Sequence, residues 1–149
     1  MNITEELLYE LLEKSNKDLV TCISDITNPY LLHMIAGNYN WDNGFEVPKS
    51  ITDNINCDSG TALMIFELSD GYTYLFGDKD EFSSDEWENF VCELKIKIEN
   101  NCYNNKLIKY VPELSRADKF KLKKIYHDII PVFIEGTNGE IVEILPIST

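Results

Sequence analysis

The chain is poor in the residues from which active sites and metal centres are usually built. It has two histidines, His33 and His127, and four cysteines, at positions 22, 57, 92 and 102. No two cysteines stand at the C-x-x-C distance, so the paired ligand spacing of a zinc site is missing. The chain also lacks G-x-S-x-G, the Walker A loop and H-E-x-x-H, which removes the commonest templates for acyl transfer, phosphate binding and zinc hydrolysis. No apolar run approaches the roughly 18–20 residues that span a bilayer. The opening "MNITEELLYELLEK" has no basic region ahead of an apolar stretch, so it does not read as a signal peptide. Without a secretion signal a disulfide framework is not expected, and the cysteines read as buried free thiols. These absences predict a soluble cytoplasmic protein with no metal and no cofactor.

Positive charge is scarce as well. Lys and Arg number 13 against 26 Asp and Glu, for a net charge of −13. The imbalance is uneven: residues 1–103 hold 20 acids and 6 bases, residues 104–149 hold 6 acids and 7 bases. A field of this sign repels nucleic acid and anionic membrane and attracts basic partners. Acidity also serves solubility, which is the plainer reading. Between Glu67 and Glu93 there are nine acids and one Lys. An acidic surface is therefore expected around Asp78, Asp80, Glu81, Asp85, Glu86 and Glu88.

What is present supports a folded chain. Hydrophobic residues make up 44% and aromatics 11% of 149 residues, enough for one domain with a sizeable core. The sequence is also rich in Asn (14) and Ile (17), so an Asn cluster is not by itself a site. Thr4 caps a helix over about residues 4–15 with Leu7, Leu8, Leu11 and Leu12 at helical spacing. A short helix follows around Leu19, Val20 and Ile23. Asn28-Pro29 opens the next, carrying Leu31, Leu32 and Ile35. Asp58 caps a strongly apolar helix through Phe66 and Leu68. The aromatic run "GYTYLF" reads as a loop or a brief strand. Ser83 and Glu86 match a capping box ahead of a long amphipathic helix over 84–101. Ser115 and Asp118 start another, coated by Lys119, Lys121, Lys123 and Lys124. The tail "PVFIEGTNGEIVEILP" places Asn-Gly between β-branched runs, which predicts a hairpin with strands near 132–136 and 140–145.

The helices opened by Asn28 and Asp58 start 30 residues apart, with "LLHMI" and "ALMIF" in matching places. The predicted fold is mainly α: a compact bundle or a short α-solenoid-like array of helices with a C-terminal β-hairpin. One domain is expected, with a motif-bearing helical part over 1–103 and a helix plus hairpin over 104–149.

The densest stretch is "NYNWDNGFEVP", Asn38 to Pro48. Trp41 and Phe45 are too apolar to be left in water, so they should pin this loop to the core. Asn43-x-x-Glu46 is capping-box-like, and Pro48 suits a first helical turn. A joint between helices explains most of these residue types. Tyr39, Asp42 and Glu46 could instead meet a partner if they face outward, and so could Asp70 with Tyr72.

This stretch, followed by "NINCDSGTALMIFELSDGYTYL", resembles the bacterial family catalogued as domain of unknown function 4274. Its members look like N-Y-N-W-D-x-G-F-E-x-P, then C-D-x-G-T-A-L-x-x-F and D-G-Y. The likeness covers about residues 31–76. The family has no established activity. Some members look like small proteins encoded beside secreted toxins, which implies an immunity role. The resulting expectation is an acidic binding protein for a basic partner, with a toxin as the implied target. An α-solenoid-like adaptor without a toxin partner is the alternative, and a carboxylate-based hydrolase stands last.

Overall fold

The computed structural model describes residues 2–78 and 83–147. In chain order these form α1 (Glu5–Leu12), α2 (Asn16–Ser24), α3 (Pro29–Asn38), a 3-10 turn η1 (Trp41–Asn43), α4 (Glu46–Asp53), α5 (Ser59–Leu68) and α6 (Gly71–Phe76). Then come α7 (Asp85–Glu99), β1 (Ile108–Lys109), α8 (Arg116–Ile125), α9 (Val132–Glu135) and β2 (Glu140–Ile141). The chain is mainly helical, as its apolar periodicity predicts.

Side-chain caps set most helix starts. Thr4 Oγ1 accepts from Leu7 N at 3.1 Å, Asn28 Oδ1 from Tyr30 N at 2.9 Å, and Asp58 Oδ1 from Gly60 N at 2.8 Å. Each satisfies an amide that the helix itself cannot pair. Ser115 and Asp118 form a reciprocal capping box at α8. For α7 the cap is Ser84, which accepts from Trp87 N at 3.1 Å, one residue beyond the Ser83 box.

The core is built around α5. This helix touches α3, α4, α6, α7 and β1, and Gly60 through Phe66 are all buried. Being surrounded explains why "ALMIF" has no polar stripe. In α3, Leu31 to Ala36 are buried for the same reason. Burial of side chains such as Leu32, Ile35, Leu63 and Phe66 contributes about 1.5–3 kcal/mol each.

Two local predictions are corrected. "GYTYLF" is neither loop nor strand but the helix α6. The C-terminal hairpin does not form. Residues 132–135 are helical, and β2 pairs in parallel with β1, in the register Ile108↔Glu140 and Lys109↔Ile141. The reason is tertiary. Thr137 Oγ1 accepts from Tyr110 N and donates to Ile108 O, both at 2.8 Å, and Glu140 N donates to Leu107 O at 2.9 Å. Gly139, at φ 135, lies so close to this strand that a Cβ would meet Leu107 O at 2.4 Å. The Asn-Gly glycine thus serves the approach of a distant backbone rather than a tight turn.

The thiols are less buried than expected: Cys57 is buried, Cys22 and Cys92 are half-buried, and Cys102 is exposed.

Candidate functional site

The Asn38–Pro48 loop is held residue by residue. Asn38 Nδ2 donates to Met34 O and to Leu145 O, both at 2.9 Å, and its Oδ1 accepts from Ile147 N at 3.3 Å. It clips the C-terminal tail onto α3. Tyr39 donates its hydroxyl to Gly44 O at 2.6 Å, closing the loop on itself. Asn40 caps η1, accepting from Asp42 N at 3.0 Å. Trp41 meets Tyr39, Phe45 and Phe90 edge-on, with centroids 5.4, 6.2 and 6.5 Å away, and Phe45 lies 5.2 Å from Phe90. Asn43 O accepts from Asn16 Nδ2 at 2.7 Å, tying the loop to α2. Val47 and Pro48 are buried in the first turn of α4, where proline's missing N–H costs nothing.

Two residues of the motif have no such internal role. Asp42 and Glu46 are exposed. The Asn43–Glu46 capping box does not form, because the cap of α4 is Phe45 and makes no side-chain bond. Glu46 instead lies on the first turn of α4, where the helix dipole favours its charge. Among the described residues neither Asp42 nor Glu46 makes an ion pair.

The second group of acids is mounted on α7. Trp87 Nε1 donates to Ser69 O at 2.6 Å, and its ring lies 6.2 Å from Tyr74. These contacts fix the first turn of α7 against the α5–α6 corner, beside Asp70. Phe90, one turn further along, seats on Trp41 and Phe45. The first two turns of α7 thus brace both the corner and the motif loop. Asp70, Asp78, Asp85 and Glu86 are exposed and, among the described residues, make no ion pair. Glu88 is half-buried. Asp80 and Glu81 lie outside the described residues.

Asp53, at the end of α4, and Glu93, on α7, differ. Asp53 and Glu93 share two lysines: Lys49 Nζ lies 3.1 Å from Asp53 and 3.5 Å from Glu93, and Lys97 contacts both. Burial pulls the Asp53 carboxyl upward, but Lys97 and Lys49 outweigh it and hold it below its usual range.

Two tyrosines leave the candidate surface. Tyr39 is 8% and Tyr72 7% exposed. The Tyr72 hydroxyl donates to Phe133 O at 2.6 Å, pinning α9 to α6. Burial raises the pKa of both phenols. They anchor the fold, because a ring this apolar with a backbone acceptor in reach is better kept from water.

Sequence reading missed the role of "CDSGT". Asp58 is fully buried. Beyond capping α5, its carboxylate accepts from Leu107 N at 2.6 Å and Ile108 N at 3.2 Å, which binds β1 to the N-terminal end of α5. Gly60 permits this closeness, since a Cβ there would meet Ile108 O at 2.3 Å. His33 Nδ1 and Thr61 Oγ1 lie 2.8 Å apart, beneath the same end. Burial lowers the His33 pKa to about 4, against the opposing pull of Asp58, so the imidazole is neutral at pH 7. The cap was legible locally, but its partner strand lies 50 residues away and carries no local signal.

Among the described residues no group of three His, Cys, Asp or Glu is arranged to hold a metal ion. Nor is any described helix long and apolar enough to cross a membrane.

The family model described as Domain of unknown function (DUF4274) matches residues 27–101, half of the chain, from the start of α3 past the end of α7. The match includes both motif groups and the acidic face of α7. Neither the curated proteins nor the solved structures provide a match. With its motif residues accounted for and half its length matched, the chain belongs to the DUF4274 family.

Proposed function

We propose that the protein is a cytoplasmic, acidic binding protein that captures a basic protein, and that its role is of the immunity type, neutralising a basic bacterial toxin. One observation carries this reading. The family motif is consumed by internal contacts at nearly every position, while Asp42 and Glu46 stay exposed and, among the described residues, make no ion pair, on a loop made rigid by four aromatic rings. Rigid presentation lowers the entropy lost on binding. Asp70, Asp85 and Glu86, mounted on the same brace, extend the negative surface and would steer a cationic partner toward it. The immunity role itself rests on the resemblance alone, some family members looking like small proteins encoded beside secreted toxins.

Co-expression with the product of the neighbouring gene tests the proposal. A complex that weakens with salt and relieves toxicity is expected. Absence of a complex, with toxicity unchanged, rules the proposal out.

A further inference from the structure

A cleft of about 490 Å³ opens where the last turn of α7 meets the 130–138 segment. Its volume falls in the range of small-molecule sites. One wall, with Ser59, Ile98 and Asn101, comes from the family-matched half; the other, with Tyr103, Lys106, Ile130 and Val132, comes from the C-terminal part.

The walls carry both apolar and polar side chains, and the two charged groups on them differ in status. Glu99 is engaged by Lys95 at 3.0 Å. Lys106 contacts the side-chain oxygen of Asn101, a neutral group, and has no carboxylate in ion-pair range among the described residues. Lys106 is the cationic group among the residues that line the cleft.

We propose that this cleft binds a small carboxylic acid with an apolar body, its carboxylate on Lys106 and its hydrocarbon against Ile98, Ile130 and Val132. The neighbouring Glu99 selects against a dianion, so a monocarboxylate fits better than a phosphate. A free ammonium offers a charge-assisted bond to a carboxylate, and the apolar walls gain from covering the hydrocarbon. This site is independent of the acidic surface proposed above.

The test is an NMR titration of the full chain with octanoate, with octylammonium and inorganic phosphate as charge controls. Saturable shifts are expected at Lys106, Val132 and Asn138 with octanoate and at none of them with the controls. Lys106→Gln should weaken octanoate binding by about tenfold or more, the scale of one charge-assisted bond, while Lys106→Arg retains most of it. Lack of saturation at millimolar octanoate, shifts mapping elsewhere, equal binding of octylammonium, or an unaffected Lys106→Gln variant would each overturn the proposal.

Discussion

Replacing Asp58 by Asn probes the link between the family motif and the rest of the chain. The carboxylate is fully buried and accepts three backbone bonds, from Gly60, Leu107 and Ile108. An amide of the same shape offers one oxygen and one NH2 group. At least one of those three backbone amides must then face a donor. Each bond to a charged acceptor contributes about 1.5–3 kcal/mol, and a buried amide left unpaired costs about 1–3 kcal/mol. The effects overlap because the bonds share one group. The expected loss is about 3 kcal/mol for Asp58→Asn, and more for Asp58→Ala, which strands all three amides. For a domain of this size that loss lowers the melting temperature by about 6–12 °C. Thermal and urea unfolding would measure it. Amide exchange would localise it, with Leu107 and Ile108 losing protection ahead of α3. A loss below about 1 kcal/mol, the ordinary scale of a single substitution, would refute the idea that Asp58 ties β1 to α5.

Other expectations follow from single contacts. The His33 imidazole titrates at about 4 in the fold against 6.5 when free, so its depressed pKa contributes stability that is whole above pH 6.5 and lost as pH falls toward 4. The full span is worth about 3 kcal/mol by linkage, and His33→Gln should flatten the difference in stability between pH 7 and 4. An unchanged pH slope would contradict a buried neutral histidine. Trp41→Ala should cost about 3 kcal/mol, the low end for a Trp because the ring is half-buried, whereas Asp42→Asn should stay within about 0.5 kcal/mol of the parent; chemical denaturation separates the two. Asn38→Ala should release the tail, seen as faster exchange at Leu145 and Ile147 with little change in α5.

Features with local causes were legible in the sequence. Thr4, Asn28, Asp58 and the Ser115–Asp118 box mark helix starts because a cap bonds within three residues of itself. The unbroken run Leu63 to Phe66 signalled a helix covered on most sides, and α5 is that helix. The failures were non-local. Val132–Glu135 has β-branched residues and still forms a helical turn after Pro131, because Tyr110 and Ile108 claim Thr137 and β1 recruits Glu140. "GYTYLF" alternates like a strand but coils into α6, with Tyr72 reaching Phe133 and Tyr74 reaching Trp87. At the candidate site, sequence alone identified the loop and its anchors. Side-chain direction decided the rest: Tyr39 and Tyr72 turn inward to backbone acceptors, while Asp42, Glu46, Asp70, Asp85 and Glu86 remain in solvent.

The central claim is that Asp42 and Glu46 face outward to meet a basic protein. Isothermal titration of the purified product of the neighbouring gene into the wild type and into an Asp42→Asn, Glu46→Gln double variant tests it most directly. The account predicts saturable binding to the wild type that weakens as salt rises, and clearly weaker binding to a double variant whose melting temperature is unchanged. Equal affinity for the two proteins, or no binding to either, would contradict it.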